Sequence, residues 1–336
     1  MLAAVLTQLG GPLEIEEVNL TPLLQGQVLV KVIKTGICGA QLQEISGLKG
    51  NAKFIPHLLG HEGVGEVLEV GPDVRKVAIG DKVVMHWRKG SGFESEFPKY
   101  IFRGKEIFSG KVTTFSEKTI VSENRVTKVS PDLDDSFLAL LGCAVSTAYC
   151  TLKYDAEVKP GSSFAILGTG GVGMALVSMA KLLGCSRILA FDKDLKKAER
   201  SMRLGANEFQ TSFSSVNEVF DVIVDTTGSP DLLAQGFEKL APSGRLILVG
   251  QPNPGLELQL KNVNSFFEGN GKRIIASQGG GFNPDNDIPI LTELFRQGLI
   301  PHKDLISHEI PLAQINQGIA MISSGDASRV VLEISG

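Results

Sequence analysis

The pattern of hydrophobic and polar residues divides the chain into three stretches. Residues 1 to about 130 contain short apolar runs bounded by Gly, Asp or Pro, typical of β-strands joined by tight turns: GQVLVKVIKTGI, GVGEVLEVG and GDKVVMHW. From about 145 to 275, strand patterns alternate with helical patterns: SSFAILG, GGVGMALVSMAKLLG, RILAFD, DLKKAERSMRLGA, FDVIVDTTG and GRLILVG. The remainder is mixed, with helices predicted at DIPILTELFRQG and LAQINQGIAMISSG before a closing strand, RVVLEI.

This order predicts an α/β protein of two domains. A chain of 336 residues exceeds what one hydrophobic core usually supports. Strands that alternate with helices indicate a parallel, doubly wound sheet in the middle block. We therefore expect a dinucleotide-binding domain over 145–277, inserted into a mostly β domain formed by 1–144 and 278–336.

A glycine-rich turn follows the first strand of the middle block and opens a helix. In a strand–turn–helix setting, G-x-G-x-x-G is the fingerprint of a Rossmann dinucleotide site. Gly168 permits the tight turn, Gly170 lets the backbone approach a pyrophosphate, and Gly173 lets the helix pack on the strand. The helix N-terminus offers N–H groups to the phosphates. The six positions are Gly168, Thr169, Gly170, Gly171, Val172 and Gly173.

Asp192 ends the next strand, 19 residues after Gly173. A carboxylate there accepts hydrogen bonds from an adenosine ribose and repels a 2′-phosphate, which favours NAD(H) over NADP(H). The alternative is a structural glycine turn and a surface aspartate. The strand–turn–helix context favours the binding site.

Composition narrows the classes of function. A formal net charge of −4 gives no electrostatic reason to expect a nucleic-acid or membrane-surface partner. The N-terminal residues do not resemble a signal peptide, and no apolar window is long enough to span a bilayer. The four cysteines, Cys38, Cys143, Cys150 and Cys185, are too scattered for a disulfide framework. We expect a cytoplasmic protein.

Cys38, Cys143 and His61 are each isolated in the sequence. Isolated cysteines of this kind are usually small buried hydrophobes, and a lone histidine is more often structural than a ligand. Their spacing is too wide to identify a zinc site by itself, so both interpretations stay open at this point.

Five segments, taken together and in this order, resemble the zinc-dependent alcohol dehydrogenases of the medium-chain dehydrogenase/reductase superfamily: GICGAQL, GHEGVGEVLEVG, GDKVV, LLGCAVSTAY and GTGGVG. The resemblance covers nearly the whole chain and implies a mostly β, GroES-like catalytic domain beside the Rossmann domain. It also implies that Cys38, His61 and Cys143 bind one catalytic zinc, with the fourth position open for water or substrate. Glu62 is expected beside the metal, either as an exchanging ligand or holding a water.

The same resemblance assigns contacts to the cofactor and the substrate. Thr147 is expected to touch the nicotinamide ring, Lys197 the adenosine ribose, and Arg329 the pyrophosphate. Backbone groups of Val249 and Gly250 are expected to hold the carboxamide. Trp87 and Phe115 match positions that wall the substrate pocket, although both residues have an alternative role as core of their lobe.

Two departures from the family pattern affect the metal and the proton path. Residues 87–115 contain no cysteine, so we expect one catalytic zinc and no four-thiolate structural zinc. Ala40 stands where the family commonly has a Ser or Thr hydroxyl that takes the substrate proton, and Gln43 where some relatives have a histidine. Gln41 stands where a carboxylate often supports the zinc-binding histidine, and an amide polarises that ring less. We therefore expect Glu62, acting through a water, to accept the proton; the alternative is an enzyme that is slow or altered in its chemistry.

The sequence thus predicts an NAD(H)-dependent zinc enzyme that oxidises an alcohol, polyol or sugar hydroxyl, or reduces the matching ketone or aldehyde. Such an enzyme is expected to be a homodimer or homotetramer. Two alternatives stay open. One is a zinc-free nicotinamide-dependent double-bond or quinone reductase of the same superfamily, and the other is a non-enzymatic NAD-binding protein.

Overall fold

The computed structural model describes residues 1–49 and 54–334 and divides the chain into two compact units. The first, here called the β-rich unit, comprises Met1–Cys143, Asn283–Glu293 and the residues from Ile306 onward. The second, here called the parallel-sheet unit, comprises Ala144–Phe282 and Leu294–Leu305.

The strands and helices of the described residues follow the hydrophobic runs of the sequence. In chain order the strands are β1 Leu2–Leu6, β2 Glu14–Glu17, β3 Asn19–Leu20, β4 Gln27–Ile37, β5 His57–Leu58, β6 Glu62–Val70, β7 Lys82–His86, β8 Tyr100–Phe102, β9 Lys105–Ile107, β10 Lys118–Ser122, β11 Val126–Lys128, β12 Ser163–Leu167, β13 Arg187–Phe191, β14 Glu208–Gln210, β15 Phe220–Asp225, β16 Leu240–Leu248, β17 Arg273–Ala276, β18 His308–Pro311 and β19 Val330–Glu333. The α-helices are α1 Gly39–Ile45, α2 Asp135–Ala139, α3 Ala144–Cys150, α4 Gly171–Leu182, α5 Ala198–Leu204, α6 Pro230–Glu238, α7 Pro284–Arg296, α8 His302–Leu305 and α9 Ile315–Ser324.

The described part of the parallel-sheet unit contains one six-stranded sheet in the order β14-β13-β12-β15-β16-β17. Every neighbouring pair in it is parallel. This is the strand order of a doubly wound sheet, in which the direction of winding reverses between β12 and β15. Strands β12 and β13 are buried over four of their five residues, as expected for strands covered on both faces. The predicted α/β class with a doubly wound domain is confirmed.

The described residues of the β-rich unit form a seven-stranded, mainly antiparallel sheet and two three-stranded sheets. The long strand β4 is central, because it pairs with β6, β10 and β19. Val330 of β19 lies opposite Ile37 of β4, so the last strand of the chain joins a sheet built from its first third. The β-rich unit therefore combines strands from both ends of the described chain.

Each unit has its own hydrophobic core, formed by the inward-facing residues of its strands and helices. Core residues of the parallel-sheet unit include Leu167, Leu189, Ile223, Phe237 and Leu246. Core residues of the β-rich unit include Val30, Val32, Val67, Val83, Met85 and Val121. Among the described residues, no helix is long and apolar enough to cross a membrane.

The cysteine-free segment 87–115 is held to the rest of the β-rich unit by ion pairs and hydrogen bonds. Glu94 pairs with Arg125, outside the segment, at 3.3 Å, and with Lys111, inside it, at 3.1 Å. Burial works against the charged form of this carboxylate, but hydrogen bonds from Asn124 and Lys111, with the charge of Arg125, lower the pKa of Glu94 to about 2. The segment therefore has its own set of polar anchors.

The second domain boundary differs from the predicted one at 277/278. Residues up to Phe282, together with Leu294–Leu305, cluster with the parallel-sheet unit. Helix α8 lies in this second segment and packs against α4 and α5. Asp304 of α8 accepts a hydrogen bond from Arg203 of α5 at 3.1 Å. The sequence pattern after residue 277 does not indicate this packing, because α8 is only four residues long.

Gly173 is required by the close approach of α4 to the end of β12. A Cβ at this position would lie 2.0 Å from the carbonyl oxygen of Gly168, whereas a Cβ at Gly170 would meet nothing within 4 Å. We predict that Gly173→Ala destabilises the fold by about 2–3 kcal/mol, as overpacking against a rigid backbone does. The measurement is chemical denaturation followed by circular dichroism.

Gly170→Ala is the matched control, since it adds the same methyl group to the same turn. It should cost about 1 kcal/mol or less, the ordinary cost of alanine at a helix N-cap. Equal losses in the two variants would contradict the packing role of Gly173.

Candidate metal and dinucleotide sites

Three side chains from distant parts of the sequence meet in the β-rich unit. One ligand atom from each of Cys38, His61 and Cys143 lies within 4.8 Å of the other two. Cys38 is the N-cap of α1, directly after β4 ends, and His61 directly precedes β6. Cys143 follows Gly142 in the turn after α2. The three residues that the family resemblance selected are therefore brought together.

The position of Cys143 depends on the glycine before it. A Cβ on Gly142 would lie 2.2 Å from the carbonyl oxygen of Met85 and 2.8 Å from Cα of Glu62. Any side chain at this position would push the turn away from β6 and β7. The glycine therefore lets the Cys143 turn pack directly against the strands next to His61.

The two thiols differ in their tendency to ionise. The hydrogen bond with Cys143 holds the pKa of Cys38 well below its usual range, despite burial. The same contact, together with burial, raises the pKa of Cys143 well above its usual range. Burial opposes the charged form of His61, but the neighbouring Cys38 raises the pKa of His61 above its ordinary value. Cys38 is therefore the first of the two thiols to become a thiolate.

The donor set fits zinc. In a tetrahedral site with Zn–S of about 2.3 Å and Zn–N of about 2.0 Å, ligand atoms stand about 3.5–3.8 Å apart, and the three atoms here lie within 4.8 Å of one another. Two sulfurs and an imidazole nitrogen are ligands that zinc prefers. Among the described residues, Nε2 of His61 is buried without a hydrogen-bond partner. A metal at this point would satisfy that nitrogen.

Gln41 contacts both Cys38 and His61. Its side chain is 1% exposed. Oε1 accepts a hydrogen bond from the backbone N–H of Cys38 at 2.9 Å, and Nε2 donates to Nδ1 of His61. The Gln41 amide therefore faces the histidine from the side opposite Nε2. Ala40 lies beside it in the first turn of α1.

Glu62 pairs with Arg329 instead of joining the ligand set. Its Oε1 accepts a hydrogen bond from Nη1 of Arg329 at 2.7 Å, and these side chains are 0% and 3% exposed. Nη1 also donates to the carbonyl oxygen of Ile37 at 3.1 Å. The group of ligand atoms within 4.8 Å does not include a Glu62 oxygen. The predicted role of Glu62 as an exchanging metal ligand therefore requires its carboxylate to move away from Arg329.

Sequence reasoning assigned Arg329 to a pyrophosphate and missed its pairing with Glu62. The two residues are 267 positions apart, and no local pattern links them. Their pairing follows from the register of β4, β6 and β19, which only the folded sheet defines. The pyrophosphate contact of Arg329 stays a prediction.

Glu44 is a second carboxylate near the ligands that sequence reasoning missed. It lies one turn after Ala40 on α1, so the two residues share a face of that helix. Burial raises the pKa of Glu44, and the charges of His61 and Lys49 oppose this effect. The four-residue spacing between Ala40 and Glu44 was the sequence signal that could have placed Glu44 on the same helix face.

In the parallel-sheet unit, Asp192 links the glycine-rich turn to Lys197. Its Oδ2 accepts hydrogen bonds from the backbone N–H of Thr169 at 2.9 Å, from the Thr169 hydroxyl at 3.1 Å and from Nζ of Lys197 at 2.9 Å. Burial opposes the charged form, but the Thr169 N–H and Lys197 lower the pKa of Asp192 below its ordinary value. A fixed carboxylate therefore stands beside the turn that was predicted to bind the pyrophosphate.

The remaining predicted cofactor residues lie elsewhere in the same unit. The backbone N–H groups of Val249 and Gly250 both donate to the carbonyl oxygen of Asp225 at 2.9 Å. Both N–H groups are thus engaged within the unit, and the contact of Val249 and Gly250 with a carboxamide stays a prediction. Thr147 is buried on α3. Gly171, Val172 and Gly173 form the first turn of α4, after the N-cap Gly170.

The two predicted pocket residues differ in their surroundings. Phe115 is 1% exposed and belongs to a core cluster with Leu6, Leu59 and Ile37, which favours the alternative that it is core of its lobe. Trp87 is half-buried, and the Arg88 guanidinium lies 5.3 Å from its ring centroid. In the described part of the chain, its indole Nε1 is buried without a hydrogen-bond partner.

Comparison with known families identifies two matching models. Residues 24–131 match the alcohol dehydrogenase GroES-like domain, and residues 171–297 match the zinc-binding dehydrogenase domain. The first range contains Cys38 and His61, and the second contains Asp192 and Lys197.

Relatives match over almost the full length. The chain is 28% identical to an S-(hydroxymethyl)glutathione dehydrogenase of Synechocystis, covering 98% of both chains. It is 29% identical to alcohol dehydrogenase 6 of Peromyscus maniculatus, covering 98% of this chain and 96% of that protein. Among solved structures, benzyl alcohol dehydrogenase of Acinetobacter calcoaceticus matches with a TM-score of 0.89 and 27% identity over 99% of both chains. An alcohol dehydrogenase zinc-binding domain protein of Burkholderia ambifaria matches with a TM-score of 0.91 and 28% identity, over 100% of this chain and 99% of that chain.

We predict that Arg329→Met destabilises the protein strongly, because it leaves the Glu62 carboxylate buried without its cation. Removal of one partner from a buried ion pair typically costs about 3–5 kcal/mol. Urea unfolding of the variant and the wild type measures the difference.

Arg103→Met is the control. Arg103 also pairs with carboxylates, those of Glu14 and Glu16, but it lies in an exposed position. It should move the unfolding midpoint little, because solvent and salt screen surface pairs. An Arg329 variant as stable as the Arg103 variant would show that the buried pair is not a structural anchor.

Proposed function

The chain belongs to the zinc-dependent alcohol dehydrogenases of the medium-chain dehydrogenase/reductase superfamily, and on this basis we propose that it oxidises an alcohol, polyol or sugar hydroxyl with NAD⁺, using one zinc held by Cys38, His61 and Cys143. The main support is the convergence of these three side chains within 4.8 Å, with a buried and unpartnered imidazole nitrogen among the described residues. The reverse reaction reduces a ketone or aldehyde.

Each unit contributes one part of this chemistry. Zinc supplies a Lewis acid that lowers the pKa of the substrate hydroxyl, and the nicotinamide accepts the hydride. Cys38 and Cys143, as thiolates, together balance the charge of the dication, and His61 adds a neutral ligand. Because Cys38, His61 and Cys143 would be its three protein ligands, a zinc held there would have room for one further ligand, as a catalytic zinc requires.

The proton path has to differ from the common one of the family, because the methyl group of Ala40 neither donates nor accepts a proton. Glu62 remains our predicted acceptor, acting through a water. Its pairing with Arg329 at 2.7 Å limits this role, since a general base has to reach the proton that it takes. Glu44, one turn after Ala40, is another carboxylate near the ligands.

The cofactor contacts follow from the fixed position of Asp192. Its Oδ2 is held by Thr169 and Lys197, so its negative charge is anchored next to the glycine-rich turn. We propose that the ribose hydroxyls of NAD(H) hydrogen-bond to this carboxylate and to Lys197. A 2′-phosphate would meet the negative charge of Asp192, which disfavours NADP(H).

Trp87 supports a polyol or sugar as the substrate. An indole ring packs well against the face of a sugar, and its N–H donates to a hydroxyl. The indole nitrogen of Trp87 is buried and unpartnered among the described residues, so a substrate hydroxyl is one group that would satisfy it. The expected homodimer or homotetramer stays a prediction.

We predict about one zinc per chain in the wild type and loss of both zinc and alcohol-dependent NADH formation in Cys143→Ala. Removal of one of three ligands abolishes tight zinc binding, whereas the glycine-rich turn, Asp192 and Lys197 belong to the other unit. NADH binding, followed by fluorescence, should therefore persist. The measurements are elemental analysis and a screen of alcohols and polyols by NADH absorbance.

Cys185→Ala is the matched control, because it removes a cysteine from the parallel-sheet unit and should keep zinc and activity. Two tightly bound zincs, or none in intact wild-type protein, would contradict the assignment. Turnover without metal would favour the zinc-free reductase, and NADH binding without turnover of any alcohol would favour the non-enzymatic alternative.

We predict that Asp192→Ser narrows the preference for NAD⁺ over NADP⁺ by about fivefold or more. Two unit charges at contact distance interact by ~1 kcal/mol even in bulk water, and by more near a protein surface. The measurement is the ratio of kcat/KM for the two cofactors. Asp194→Ser makes the same charge change two residues later and should alter the ratio less. Comparable efficiency of the wild type with both cofactors would refute the role of Asp192.

A further inference from the structure

The Gln41 side chain contacts one backbone group and one side-chain group, and both need a hydrogen-bond acceptor when His61 binds a metal. Its amide spans from the backbone N–H of Cys38 to the Nδ1 atom of His61. The backbone N–H is always a donor. The Gln41 side chain is buried, so water does not readily replace either contact.

The protonation of the His61 ring is set by which nitrogen binds the metal. A neutral imidazole has one N–H and one lone pair. Nε2 is the buried nitrogen without a partner in the described part of the chain, so it is the atom available as ligand. Nδ1 then bears the proton and becomes a donor toward Gln41.

A primary amide has a single acceptor atom, its oxygen. In this structure Oε1 of Gln41 lies on the Cys38 N–H, and the NH2 end faces His61, so the amide does not accept from both donors across this span. With Oε1 on Cys38, as in this structure, Nε2 of Gln41 meets another donor at Nδ1 of the metal-bound ring. With the amide turned over, the same conflict moves to the Cys38 N–H. A carboxylate has two acceptor oxygens and satisfies both donors.

We propose that Gln41 is a positioning residue that weakens zinc binding, because its amide leaves one hydrogen-bond donor of the metal-loaded site without an acceptor. This inference rests on the proposed zinc function. The partners that orient a metal-bound histidine typically change metal affinity by about 10–100-fold. The isosteric change Gln41→Glu should therefore tighten zinc binding by a factor in this range.

The test measures the zinc dissociation constant of the full-length protein by competition with a chromophoric chelator, at one pH and one salt concentration. Gln43→Glu is the matched control, because it makes the same charge change two residues along α1, and no hydrogen bond to His61 is found for Gln43 in the described structure. Gln41→Asp is a second carboxylate variant, for use if Gln41→Glu does not fold. Absorption spectra after cobalt(II) substitution check that the coordination geometry is the same in all variants.

The proposal predicts that Gln41→Glu binds zinc at least about tenfold more tightly than both the wild type and Gln43→Glu, with unchanged cobalt spectra. An affinity of Gln41→Glu no tighter than that of Gln43→Glu overturns the inference while leaving the proposed function intact, and Gln41→Asp takes the place of Gln41→Glu in this comparison only if the latter does not fold. Zinc binding by neither the wild type nor the carboxylate variants overturns the proposed function together with the inference.

Discussion

The buried ion pair between Glu62 and Arg329 is the interaction on which the arrangement of the β-rich unit depends. Glu62 begins β6, and Arg329 directly precedes β19. The guanidinium also donates to the carbonyl oxygen of Ile37, at the end of β4. One side chain thus fixes three strand ends whose residues are far apart in the sequence. Cys38 directly follows Ile37, and His61 directly precedes Glu62, so the same anchor sets the separation of two of the three predicted ligands.

Much of the fold was predictable because its elements are defined by local patterns. The strands and helices of the parallel-sheet unit follow continuous apolar runs and a glycine-rich turn, and these patterns predict a doubly wound sheet without reference to distant residues. The boundary near Phe282 was not predictable in this way. Helix α8 joins the parallel-sheet unit through packing on α4 and α5, and four residues are too few to show a hydrophobic period.

The candidate site shows a similar division between local and distant information. The glycine-rich turn and Asp192 were recognised from spacing within one strand–helix–strand segment. Cys38, His61 and Cys143 required the resemblance to a family, because ligands this far apart form no motif of their own. The pairing of Glu62 with Arg329 was missed, since it depends on the register of β19 against β4. Phe115 had two possible roles from the sequence, pocket wall or core of its lobe, and its neighbours in the folded unit favour the core.

The first turn of α1 combines two changes that act on the same chemistry in opposite directions. Ala40 stands where relatives commonly have a proton-transferring hydroxyl, and Gln41 stands where a carboxylate often lies beside the predicted ligand histidine. A less negative surrounding favours ionisation of a hydroxyl bound nearby, because a neighbouring carboxylate would raise its pKa. The same amide supports the imidazole less well than a carboxylate does, so the metal is held less tightly. Weaker support of the metal and easier ionisation of the substrate are thus two consequences of one substitution. With no hydroxyl at Ala40, the proton released in this way has to leave through water or a carboxylate outside the first turn of α1.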